Sequence, residues 1–71
     1  MFYAFHVRRK ETGAWETERA VHEGDPPKPD DVIEANLRGK MVKARVLVVI
    51  TTPPSREGEG DYTVEVHATE I

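Results

Sequence analysis

The chain has 71 residues, 38% of them hydrophobic and 32% charged, with 13 acidic against 10 basic side chains and a net charge of -3. That balance excludes a low-hydrophobicity disordered chain and weighs against a general nucleic-acid binder, which carries a basic excess. One domain spanning 1–71 buries only about 60% of the surface its unfolded form exposes, and without cysteine no disulfide makes up the deficit, so a partner subunit ranks high as a source of stability.

Residues 1–9 place their charges after the apolar side chains and hold no long apolar run. Neither a signal peptide nor a membrane span is expected, and the expected compartment is the cytoplasm. Tyr3, Phe5 and Val7 alternate with His6 and Arg8, which is the period of a strand with one inner face. Gly13 can adopt the left-handed conformation that closes a three-residue hairpin loop after Lys10. Pairing Lys10 with Ala14 places Arg8 opposite Glu16, His6 opposite Glu18, Tyr3 opposite Val21 and Arg9 beside Trp15. The second strand, about 14–22, then turns Trp15 and Val21 to the core, with Thr17 and Arg19 between them marking a near-edge position.

Residues 23–30 contain three prolines in four positions, which fix backbone dihedrals and remove amide donors. A stiff connector is expected, in preference to a proline-x-x-proline ligand motif. Residues 31–37 read either as a strand with Ile33, Ala35 and Leu37 on one face or as a short helix with Asp31 and Glu34 at capping-box spacing. The strand is favoured, because an isolated helix of two turns is weakly stabilised and β-branched residues open the segment. Arg38 and Gly39 then form a two-residue turn.

The run 39–51 is the most strongly patterned part of the chain and is expected to be a long central strand covering at least 42–50. Its even positions from Val42 to Ile50 are apolar, and the odd positions change from Lys43 and Arg45 to Leu47 and Val49. Residues 52–60 are polar and rich in proline and glycine, so they form a loop. From 62 to 71, Tyr62, Val64, Val66 and Ala68 alternate with Thr63, Glu65, His67 and Thr69, a strand suited to antiparallel pairing with 42–50. The fold class is therefore all-β and mainly antiparallel, five short strands curling into a small, partly open barrel. The strand count and long first hairpin are similar in layout to an SH3-like barrel, without a diagnostic motif.

No constellation for catalysis, metal or cofactor binding emerges. His6, His22 and His67 lie on different strands without local ligand spacing, and Ser55, the sole serine, sits in the polar loop. Gly58 and Gly60 precede a strand, whereas a phosphate cradle opens a helix. The expected function is that of a non-catalytic interaction domain, self-associating as a homodimer and binding another protein. Leu47 and Val49 are the expected dimer contact, on the argument that Val48 and Ile50 fill the inner face. The stiff connector would even permit exchange of a strand or hairpin between subunits. The alternative is a nucleic-acid-binding module using Arg8, Arg9, Lys10, Arg38, Lys40, Lys43 and Arg45 with the aromatics Tyr3, Phe5 and Trp15. Neutralisation of those cations by Glu16, Glu18 and Glu65 ranks the alternative second.

Overall fold

The computed structural model describes residues 2–21, 24–53 and 63–71. His22, Ser55, Gly58, Gly60 and Tyr62 lie outside the described residues. Five strands follow in order: β1 (Phe2–Arg8), β2 (Trp15–Val21), β3 (Val32–Leu37), β4 (Lys40–Thr52) and β5 (Thr63–Glu70), with no helix among the described residues. They form one sheet in the order β2-β1-β5-β4-β3, curled into an open half-barrel with β2 and β3 at its margins. The small, partly open β-barrel is thus shown; the SH3-like layout is not confirmed.

The inner face is apolar because the strand alternation makes it so. Tyr3, Phe5 and Val7 from β1 meet Val64, Val66 and Ala68 from β5, with Val42, Ala44 and Val46 from β4 and Ala35 and Leu37 from β3 completing the cluster. The Tyr3 and Phe5 rings lie 5.5 Å apart, tilted by 35°. Segment 31–37 is a strand as favoured, with Ala35 and Leu37 buried and Ile33 packed against the core. Its turn to β4 is the expected Arg38-Gly39 pair. Both residues have positive φ, 54° and 81°, as a two-residue hairpin turn matched to strand twist requires. The connector is fastened to β4, since the Asp30 amide donates to the Val46 carbonyl and the Val46 amide donates to the Asp31 carbonyl, each at 2.8 Å.

Three features depart from the sequence reading. The first hairpin closes one residue earlier: the Arg9 amide donates to the Ala14 carbonyl at 2.7 Å, and the Gly13 amide donates to the Arg9 carbonyl at 2.9 Å, with Gly13 at φ 72°. Four residues therefore form the loop, and the register becomes Arg8 with Trp15, His6 with Thr17 and Tyr3 with Ala20. A slip of one residue exchanges the faces of a strand. Trp15 and Val21, expected in the core, are 51% and 68% exposed, while Glu16 and Glu18 share the inner side with Val7 and Phe5. This register is tolerated because β2 lies at the open margin, where both carboxylates find donors.

The second departure is a β-bulge in β4. Val46 pairs with Ala68 and Val48 with His67, leaving Leu47 as the additional residue. Up to Val46 the even positions face inward; beyond it Val49 packs against the core, and Val48 and Ile50 are each 45% exposed. The inner face was expected to hold Val48 and Ile50. Residues 46–50 are apolar on both faces, so no polar side chain opposes the change of phase.

The third departure concerns the middle of the sheet. β5 pairs antiparallel with β4, as expected, but also parallel with β1, which makes the sheet mixed and puts β5 at its centre. β4 is the longest strand without being the middle one.

Candidate interaction surface

The outward face is built from residues that the registers bring into rows across the strands. One row runs Trp15, Arg8, Thr69, Arg45 and Val32; the next runs Thr17, His6, His67 and Val48. A third holds Arg19, Ala4, Glu65 and Ile50. These rows join residues far apart in sequence, so no local pattern announced them.

The apolar part of this surface lies on β4. Leu47 is 53% exposed and, with Val48 and Ile50, forms a strip beside His67 and Glu65. β3 pairs with β4 only as far as Arg45, and the connector adds hydrogen bonds at Val46. Beyond that point β4 pairs with β5 alone among the described residues. Residues 47–52 thus combine exposed apolar side chains with a backbone edge. They contain no charge and no proline, the two usual devices that discourage an added strand.

In the middle of the face the parallel β1–β5 pairing stacks the His6 and His67 rings at 4.7 Å, and Trp15 meets His67 edge-on at 6.0 Å. His6 Nδ1 shares a hydrogen bond with Thr17 Oγ1 at 2.9 Å, and its Nε2 lies 3.4 Å from Glu65 Oε1. No group of three histidine, cysteine or carboxylate side chains is arranged to hold a metal ion among the described residues.

The candidate basic cluster divides into two populations. Arg9 Nη1 donates to Glu16 Oε2 at 2.7 Å and its Nε donates to Glu70 Oε1 at 3.1 Å, while Arg38 Nε reaches Glu16 Oε1 at 3.1 Å. Glu16 therefore links the first hairpin to the β3–β4 turn. Arg8, Lys43 and Arg45 instead occupy the outward face and make no ion pair among the described residues. Lys10, in the first hairpin loop, and Lys40, at the start of β4, are exposed. Tyr3 and Phe5 are buried and unavailable to a ligand; Trp15 is exposed. Glu16 was expected to neutralise part of the cluster and does so through Arg9 and Arg38, whereas Glu18, expected in the same role, accepts from the Asn36 amide instead, because the hairpin register turns both carboxylates inward.

The same network makes stability depend on pH. The Lys10 amide, donating to Glu70 Oε1 at 2.8 Å, and the Arg9 guanidinium hold the Glu70 carboxyl below its ordinary pKa. Glu16 and then Glu70 raise that of Arg9 further above its already high value. A depressed carboxylate contributes stability above its unfolded pKa and loses it as pH falls through its folded pKa. The melting temperature is thus expected to drop on acidification below the usual glutamate range. Glu70→Gln should reduce that dependence, and an unchanged acid limb in the variant would remove Glu70 as its cause.

No helix among the described residues is long and apolar enough to cross a membrane. Compared with known proteins, the chain has no significant match among family models, curated proteins or solved structures.

Proposed function

We propose that the protein is a non-catalytic, cytoplasmic interaction domain that acts as a homodimer through the second half of β4. The observation that carries this reading is the coincidence at 47–52 of an edge without a second partner strand among the described residues and three side chains about half exposed. A second copy is the occupant favoured by the chemistry. Antiparallel self-pairing of an uncharged strand brings no like charges together, whereas β2 carries Glu16, Glu18 and Arg19 and the short β3 carries Glu34. A two-fold axis closes such a pairing at two subunits. Covering the exposed half of each apolar side chain contributes on the order of 1 kcal/mol apiece, and the paired backbones set the alignment.

The proposed contact takes Leu47 from the sequence expectation and replaces Val49, which packs against the core, with the exposed Val48 and Ile50. Sedimentation should show a mass rising with concentration from 8.0 kDa towards twice that value. The double variant Val48→Lys/Ile50→Lys should remain folded and stay at the monomer mass, because both side chains point away from the core. Val49→Lys should instead lower the melting temperature, since it introduces a charge against the core. A wild-type chain that stays monomeric at high micromolar concentration, or a double variant that still dimerises, overturns the proposal.

A further inference from the structure

The geometry points to a second binding site on the outward face, for single-stranded nucleic acid, formed by Trp15, His67, Arg8, Arg45 and Lys43. This inference does not rest on the dimer. Its first support is the segregation of charge. Glu16 and Glu70 are engaged with Arg9 and Arg38, and Glu18 accepts a hydrogen bond from the Asn36 amide, so these three carboxylates, two on the marginal strand β2 and one at the end of β5, are occupied. Arg8 and Arg45 flank Thr69 in one row of the opposite face, and Lys43 follows Arg45 on the same side of β4. The net charge of -3 therefore does not describe this surface. Strand spacing sets the Arg8 and Arg45 backbones about 10 Å apart, and Lys43 lies about 7 Å along β4 from Arg45. A flexible single strand can meet such a series one phosphate at a time.

The second support is the aromatic surface beside these cations. Trp15 is 51% exposed, with its ring edge-on to His67, whose other neighbour is the stacked His6 ring. Exposed aromatic faces next to a track of cations are what sequence-tolerant binding of single strands requires, because every base has a face to stack. An acidic peptide would satisfy the cations and leave the indole unused. Paired bases would bury the faces that Trp15 offers to cover. The carboxylates of this face set the limits of the site: Glu34 stands across from Lys43, and Glu65 lies beside His6.

Trp15 is the sole tryptophan, so its own fluorescence reports occupancy. Titration at low salt with oligothymidylate and with oligouridylate of equal length should give saturable quenching. With three cations engaged, log K should fall by about 2 for each tenfold rise in salt. Lys43→Glu/Arg45→Glu, both at exposed positions, should weaken binding by more than tenfold in a chain that still melts cooperatively, at a slightly lower temperature because the new carboxylate at position 43 faces Glu34. Trp15→Ala, followed by anisotropy of a labelled strand, should weaken it without reducing the salt slope. Tighter binding of one of the two oligomers identifies DNA or RNA as the source of the strand. The inference is overturned by absence of saturable quenching, by equal affinity for duplex DNA or polyglutamate, or by a charge-reversed variant that binds like the wild type.

Discussion

Val66→Asp is expected to abolish the native fold. Val66 is fully buried on the middle strand of the sheet, paired with Phe5 on one side and Val49 on the other. The described core contains no buried polar or charged residue that could serve as a partner. An unpaired carboxylate there costs several kcal/mol or forces the group to take up a proton, whereas a single small core supplies only about 3–5 kcal/mol of net stability. Amide spectra of the variant should collapse to the narrow dispersion of an unfolded chain. Val66→Ala provides the graded control: removing two buried methyl groups should cost about 1–3 kcal/mol and leave a cooperative, earlier melt. A Val66→Asp chain melting cooperatively near the wild-type temperature would show that β5 is not at the centre of the core.

The second large effect is expected at the open margin of the barrel, where side chains do what backbone pairing does elsewhere. Glu18, on β2, accepts a hydrogen bond from the Asn36 amide of β3 at 3.1 Å, and Glu16 joins Arg9 to Arg38 across the same gap. Hydrogen bonds to a charged acceptor are worth about 1.5–3 kcal/mol, the lower end applying here because the Asn36 bond is exposed. Glu18→Ala should therefore accelerate exchange of the Asn36 amide by roughly tenfold or more. Glu18→Gln, which retains a carbonyl acceptor, should recover much of that protection. Adding Glu16→Ala should lower the melting temperature further, with a modest contribution from Arg38, whose side chain is 89% exposed and screened by solvent. Equal Asn36 exchange in wild type and Glu18→Ala would mean that β2 and β3 are not held together by this contact.

Much of the fold was legible without the tertiary structure. Alternation at Tyr3, Phe5 and Val7, at Ile33, Ala35 and Leu37, and at Val64, Val66 and Ala68 selected the inner faces of β1, β3 and β5, because a pleated strand with one buried face needs that period. Arg38-Gly39 announced the turn between β3 and β4, since both residues must tolerate positive φ. The limits of the reading fall where local chemistry is degenerate. Both three- and four-residue loops accommodate Gly13, and the choice between them decides which side of β2 faces inward. The apolar run at 46–50 suits either phase of β4, and the bulge at Leu47 settles it by matching Val49 to Val66.

The candidate surfaces were less legible still, because they are assembled from strands that meet only in the folded sheet. By itself the sequence determined that the chain is predominantly β with an apolar inner face, and favoured a strand over a short helix at 31–37, since propensity, turn chemistry and period two act within a few residues. Only the tertiary structure decided that β5 lies between a parallel and an antiparallel neighbour, that His6 meets His67, that Trp15 faces outward, and that the end of β4 has a single partner among the described residues. The physical reason is that neighbour choice and register depend on the fit of whole faces and on long-range closure of the sheet, which no short stretch of residues encodes.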